Sequence, residues 1–262
     1  MQLTKYNSRN PYIDFFFFVQ SEDLLFEHKE MKFFPNGKSV VVFNFGNKFI
    51  ENNEKLPQHL LSAVCMQSHV IKSPSGKINL IGVQLKAYGL YAFTNTAIKE
   101  IAGKIHSLEL LFGNEVKELE EKLIENDEAC KRVELLDYFF LTKINRIVPT
   151  QVETMINDIT IQKGNLSVVQ LAEKYSVSER TMERIFETYL GINPKKYIRL
   201  VRFQGTVESL KNGKIKSITK LISDYDYADQ SHFIKEFHEF AKLKPSFFQK
   251  NIPLSDFYNF ES

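Results

Sequence analysis

The sequence predicts an α+β protein. Residues 1–162 are expected to form a β-rich domain with flanking helices, and residues 163–262 an all-α domain of two helix-turn-helix motifs joined by a helix. Three observations carry this expectation. Up to about residue 105, short apolar, β-prone runs alternate with turn signals. Residues 115–162 repeat apolar side chains at helical spacing. From Leu166 onward the chain contains an internal repeat with capping residues at matching places.

In the first region, Phe15–Val19 and Ser39–Phe43 read as strands, because β-branched and aromatic side chains pack well on a pleated surface. Asn36-Gly37 is a strong turn dipeptide just before the second run. A second pair of strands is expected around Ala63 to Ile71 and Ile78 to Leu85, with Ser73-Pro74-Ser75-Gly76 turning between them. Continuous apolar runs, without polar alternation, imply strands covered on both faces. In the second region, Val116, Leu119 and Leu123 mark one helix, and Cys130, Val133, Leu136 and Phe140 a second. Val152, Met155, Ile156 and Ile159 mark a third, set off by Pro149. Lys163-Gly164-Asn165 carries the basic, glycine-containing signature of a helix end.

Composition narrows the function classes. The 23 phenylalanines and absence of tryptophan predict Phe-rich cores. Two cysteines, Cys65 and Cys130, make no disulfide framework and fit a reducing, cytoplasmic setting. The most apolar N-terminal stretch, Phe15–Val19, is too short to span a bilayer and abuts Asp14, so no membrane partner is expected. Residues 163–250 hold 16 Lys plus Arg against 10 Asp plus Glu, a balance of +6; the rest hold 18 against 22, a balance of −4. A basic C-terminal part on an acidic N-terminal part points to a polyanion as its partner. His59, Cys65 and His69 match no standard metal spacing, and no metal or cofactor is expected. No phosphate loop, nucleophile elbow or cysteine cluster is present in the sequence, so the chain is not read as an enzyme.

The repeat is the most informative feature. Val168, Leu171 and Ala172 recur as Ile218, Leu221 and Ile222 at an offset of 50; Phe186, Ile192, Pro194 and Tyr197 recur as Phe237, Leu243, Pro245 and Phe248 at an offset of 51. The extra residue therefore falls in the turn of the second copy. Ser167, with Gln170 three residues on, forms a capping box, and Ser178 caps a second helix after the turn Tyr175-Ser176-Val177. Met182, Ile185, Phe186 and Tyr189 make its buried stripe, and Gly191 is placed to end it in the left-handed conformation. In the second copy Asp229 is the cap, and Phe233, Phe237 and Phe240 form the stripe. A capped second helix after a short turn can enter a DNA major groove and present its outer face to base edges. Those outer residues are Glu179, Arg180, Glu183 and Arg184 in the first copy and Gln230, Ser231, His232 and Lys235 in the second. Lys195, Lys196 and Arg199, in a basic run after Pro194, suit phosphates. The competing reading of the same pattern is a helical-repeat module that docks on a protein.

Residues 163–250 resemble the DNA-binding domain of AraC/XylS-type transcription regulators. The segments that carry the resemblance are Leu171-Ala172 through Val177-Ser178, Arg184-Ile185-Phe186, Gly191-Ile192-Asn193-Pro194, Tyr227-Ala228-Asp229-Gln230-Ser231-His232-Phe233 and Pro245 with Phe248. The resemblance implies a bacterial regulator that binds double-stranded promoter DNA, of the activator type, with base-reading positions at Arg180, Glu183, Arg184, Gln230, Ser231, His232 and Lys235. It places the connecting helix on Tyr197 to Leu210. Asp226, Lys242, Ile222 and Phe248 depart from the family pattern, the first two standing where glycine is usual, and Gly205 falls inside the connecting helix. Phe34-Pro35-Asn36-Gly37, Val40–Phe43, Gly46 and Ile81-Gly82-Val83 resemble the β-rich N-terminal domain of some members, which implies a module for sensing a small-molecule effector or for forming a homodimer. RNA polymerase is a further partner that the resemblance brings with it.

Overall fold

The computed structural model describes residues 2–21, 30–73, 78–126, 128–211 and 218–246. Its strands are β1 (Gln2–Asn7), β2 (Ile13–Ser21), β3 (Glu30–Phe33), β4 (Val40–Asn44), β5 (Ile50–Glu51), β6 (Glu54–Lys55), β7 (His59–Ser62), β8 (His69–Lys72), β9 (Ile78–Leu85) and β10 (Ile105–Ser107). They pair antiparallel into a larger sheet of order β1-β2-β9-β4-β7-β10 and a smaller one of order β3-β8-β5-β6. The Phe-rich strand β2 is covered on both sides, as its unbroken apolar run requires. Its side chains alternate: Phe16 enters a core shared with Val41, Phe43, Ile81 and Val83, while Phe17 and Val19 enter a second core with Val40 and Leu80. The second core lies between the two sheets and receives Phe33 and Ile71 from the smaller one.

Two expectations need correction. The apolar stretch around Ala63 to Ile71 is not one strand. The larger sheet releases the chain after Ser62, because the Ala63 N–H turns to the Lys104 carbonyl and the Val64 N–H to the Ser39 hydroxyl. The chain then re-enters the other sheet as β8, so β8 and β9 are not paired with each other. Part of the Ser73–Gly76 turn, residues 74–76, lies outside the described residues. The other correction is Cys130, which is exposed. The buried face of its helix is Leu136, Asp137 and Phe140. Buried Asp137 is satisfied by the Ser8 hydroxyl at 2.5 Å and the Arg9 N–H at 3.1 Å, and so fixes the turn after β1.

Between the sheets and the C-terminal helices lie α1 (Leu90–Phe93), α2 (Ile98–Ile101), α3 (Glu109–Phe112), α4 (Glu115–Glu125), α5 (Ala129–Thr142) and α6 (Thr150–Ile161). The remaining helices are α7 (Val168–Lys174), α8 (Glu179–Leu190), α9 (Pro194–Lys211), α10 (Ile218–Asp224) and α11 (Gln230–Ala241). The main core runs without a break from Tyr12 and Phe16 through Phe93, Phe140 and Met155 to Leu171, Phe186, Leu190 and Ile198. The first C-terminal motif is thus welded to the N-terminal part. A separate core holds the second motif: Phe203, Val207, Leu221, Phe233, Phe237 and Phe240, joined from the N-terminal part by Phe34.

Candidate nucleic-acid interface

Both copies of the repeat fold as helix, turn, helix, and the register shift lies where the sequence placed it. Helices α7 and α10 begin 50 residues apart, whereas α8 and α11 begin 51 apart. Ser167 accepts from the Gln170 N–H while the Gln170 side chain accepts from the Ser167 N–H. Ser178 accepts from the Thr181 N–H, and Asp229 from the His232 N–H at 2.7 Å. Each bond satisfies a donor that a helix start leaves open.

The turns and helix ends take left-handed backbone at equivalent places. Ser176 has φ 54° in the first turn and Asp226 has φ 49° in the second; Gly191 has φ 73° after α8 and Lys242 has φ 53° after α11. Glycine at 191 meets two demands together. Besides its positive φ, a Cβ there would sit 2.7 Å from the Ile98 side chain, where α2 crosses α8.

Helix α9 joins the motifs. The Asn193 side chain caps it by accepting from the Lys196 N–H at 2.8 Å, and Pro194 takes the first helical position. Its 18 residues span about 27 Å at about 1.5 Å per residue. Gly205 does not interrupt it. The Tyr225 ring lies against that glycine, where a Cβ would approach to 2.5 Å, and the Tyr225 hydroxyl donates to the Gly205 carbonyl at 2.6 Å. The connection is therefore a rod with the second turn locked onto it. Arg202 strengthens the lock, donating to the Asp226 carbonyl at 3.3 Å with its guanidinium over the Tyr227 ring.

A cleft of about 830 Å³ opens between the motifs, with Glu179 and Glu183 of α8, Lys195 and Arg199 of α9, and His232 of α11 in its walls. A model described as a helix-turn-helix domain matches residues 171–251, and one described as a domain of unknown function (DUF6597) matches residues 10–107. An uncharacterized HTH-type transcriptional regulator of Haemophilus influenzae is 30% identical over 87 residues, 33% of this chain and 29% of that protein. The XylDLEGF operon transcriptional activator of Pseudomonas putida is 30% identical over 86 residues, 32% of this chain and 27% of that protein. The C-terminal part is an AraC-type helix-turn-helix domain. The matched stretches span less than a third of either relative's length. Over 86% of this chain the fold is similar to that of ToxT from Vibrio cholerae, with a TM-score of 0.50 at 13% identity over 94% of that protein.

Within the AraC-type domain, Arg180, Glu183 and Arg184 are exposed on α8, and Gln230, Ser231 and Lys235 on α11. Lys195 and Lys196 are exposed in the first turn of α9. His232 is half-buried, edge-on to the Tyr227 ring, and its Nδ1 accepts from the Ala228 N–H at 3.3 Å. Arg199 differs from the other basic residues. It turns inward, donating through Nε to Glu236 at 2.7 Å and through its terminal nitrogens to Glu239, with its guanidinium over Phe240. Burial works against its charge, but the bonds to Glu239 and Glu236 outweigh that and hold its pKa above the ordinary value. Glu236, only 2% exposed, is a site residue that sequence reasoning passed over. Its signal was positional: it lies three residues after Phe233 on the buried stripe, where a carboxylate needs a cation. Phe248 of the repeat lies outside the described residues.

Proposed function

We propose that the chain is a sequence-specific transcription regulator that binds double-stranded promoter DNA through α8 and α11. The observation that carries this reading is the pair of capped helices, each exposing a polar first turn, on one rigid connecting helix. Arg180 and Arg184 suit guanine edges, Glu183 an amino-bearing base, and Gln230 adenine; Ser231, His232 and Lys235 complete the second reading face. Lys195 and Lys196, at the start of α9, suit the phosphates between the two grooves, where the positive helix end adds to their charge. Arg199 serves as the positioning residue that holds α11 against α9. The mechanism is binding without chemistry: phosphate contacts set the register and groove-facing side chains select the site.

Residues 1–162 serve as the sensing or dimerising part, and residues 163–262 as the reading part. An apolar cavity of about 60 Å³ between the sheets, walled by Phe17, Val42, Phe49 and Leu80, suits a small apolar effector. Activation of transcription and contact with RNA polymerase belong to the same reading. Among the described residues no helix is long and apolar enough to cross a membrane.

Selection of bound fragments from a random DNA library, followed by gel shifts over a salt series, tests the proposal. Two half-sites about 10 bp apart are expected, since helices on one rod meet successive turns of one DNA face. Affinity is expected to fall steeply with salt as counterions leave the phosphates. Arg184→Ala should cost about 1–3 kcal/mol on the selected site and relax its preference, whereas Lys195→Ala should weaken all sequences alike. Salt-insensitive or sequence-blind binding overturns sequence reading; capture of a protein with no DNA binding favours the docking-module alternative.

A further inference from the structure

Cys65 and His69 do come together, but not with His59. His59 is engaged elsewhere: its Nδ1 accepts from the Asn44 N–H, and its Nε2 faces Glu120 at 3.0 Å. The third member is Glu51. Cys65 Sγ lies 2.5 Å from His69 Nε2, and His69 Nδ1 is hydrogen-bonded to the Glu51 carboxylate. Sγ also makes a 2.7 Å contact with the Gln67 carbonyl, donating to it in the thiol form. A sulfur on one imidazole nitrogen and a carboxylate on the other is the order nucleophile, base, orienting acid. The bond to Cys65 acts most strongly on His69; it outweighs burial, the Cys65 charge and Glu51 add to it, and together they carry the imidazole pKa up to about 9. His69 is therefore an imidazolium at neutral pH, and a cation beside sulfur is the setting that makes a thiol reactive.

Access is narrow. Cys65 is 7% exposed, and His69 stands in the wall of the 60 Å³ cavity. Cys65 itself does not line that cavity, so a reagent reaches the sulfur through its own small exposed surface and must be of only a few heavy atoms. Beyond the sulfur, residues 66–68 lead straight to the second reading helix. The Ser68 N–H donates to the Phe240 carbonyl and its hydroxyl to the Ala241 carbonyl, both at 3.0 Å. These two carbonyls are among those that the end of α11 leaves open. Met66, in the same loop, packs against both the main core and the core of the second motif.

We propose that Cys65 is an oxidation site for a small hydroperoxide, and that sulfenic acid formed there loosens the hold of Ser68 on α11. In the step, the Cys65 thiolate attacks one oxygen of ROOH; the S–O bond forms as the O–O bond breaks. The departing RO⁻ takes the Nε2 proton of His69 and leaves as ROH, with sulfur oxidised by two electrons and the peroxide reduced by two. The product Cys–S–OH carries the peroxide's own hydrogen, and the direct Sγ–His69 contact gives way to one through the added oxygen. An added oxygen in so closed a site must displace the adjoining loop.

The full-length chain is treated with hydrogen peroxide in a series from below one equivalent up to full oxidation, then unfolded in dimedone so that sulfenic acid is trapped wherever it lies, and the adduct is located by peptide mass spectrometry. Hydrogen exchange over residues 230–241 is followed in parallel. The adduct is expected on Cys65 ahead of exposed Cys130. His69→Gln should slow its formation at least about tenfold by removing the proton donor, and Glu51→Gln, a milder change in case the first does not fold, should slow it less. Exchange at the end of α11 should rise on oxidation in the wild type and in Cys130→Ser, but not in Cys65→Ser. Adduct on Cys130 alone, rates unchanged in a folded variant of His69 or Glu51, or α11 exchange unchanged at full Cys65 oxidation overturns the proposal. These readings need no DNA, so they stand or fall apart from the proposed site reading.

Discussion

Lys242 ends α11 with φ 53°, the conformation that Gly191 holds after α8 with φ 73°. A side chain in left-handed backbone crowds the following carbonyl and costs about 1–2 kcal/mol, whereas glycine adopts it freely but loses more entropy on folding. The strain term is the larger, so Lys242→Gly is expected to raise stability by about 0.5–1 kcal/mol, seen as a shift in the denaturant midpoint at unchanged slope. An unchanged or lowered midpoint would mean that Lys242 makes a compensating contact. Asp226, at φ 49°, is strained less, because a short polar side chain tolerates this region better than lysine does. Both substitutions for glycine were visible in the sequence as departures, and both positions keep the backbone that glycine would take.

At the scale of the element, α9 is where local propensity and packing point in opposite directions. By propensity, Gly205→Ala should stabilise a helix by about 1 kcal/mol. By packing, the new Cβ would stand 2.5 Å from the Tyr225 ring, whose hydroxyl is tied to the Gly205 carbonyl and the Ser209 side chain. Overpacking of a fixed ring costs about 1–3 kcal/mol, so the expected result is net destabilisation, read as a lower melting temperature. Stabilisation would show that the second turn moves freely on the rod. The same helix shows what was legible. The resemblance set its start at Tyr197, three residues late, because the Asn193 cap and Pro194 at the first helical position were not used. The C-terminal end of α9 and the glycine within it could be read from local sequence. The partners of Arg199 could not: Glu236 and Glu239 lie 37 and 40 residues away, and charge alone made Arg199 look like its neighbours Lys195 and Lys196. The break after Ser62 was hidden for the same reason, because Lys104 and Ser39, which receive the freed N–H groups, are far apart in sequence. Cys65, His69 and Glu51 were unreadable as a set, since only the pairing of β5 with β8 brings Glu51 within reach.

At the scale of the whole molecule, the two motifs are anchored unequally. Helix α8 shares the main core with the sheets, reinforced by Tyr189 against Tyr91 at 4.6 Å between ring centres. The second motif keeps its own core and touches the N-terminal part through Phe34 against Phe203, Gln204 to the Pro35 carbonyl, and Ser68. Calorimetry should therefore resolve two transitions, a small one for α10 and α11 below a large one for the rest, since separate cores unfold as separate cooperative units. Phe34→Ala should lower the small transition and leave the large one in place; a single transition in both proteins would mean that the two cores act as one.

The two motifs also differ in what they present, Arg180, Glu183 and Arg184 on one helix against Gln230, Ser231 and Lys235 on the other. A single chain of this kind has no twofold symmetry of its own, so the sequence it selects need not be a palindrome. Such a sequence has a polarity. Inverting it within a promoter would keep every base pair yet turn the molecule end for end, carrying the sheets, which share their core with the first motif, from one side of the site to the other. Whatever the N-terminal part touches on the promoter would then depend on orientation as well as on affinity.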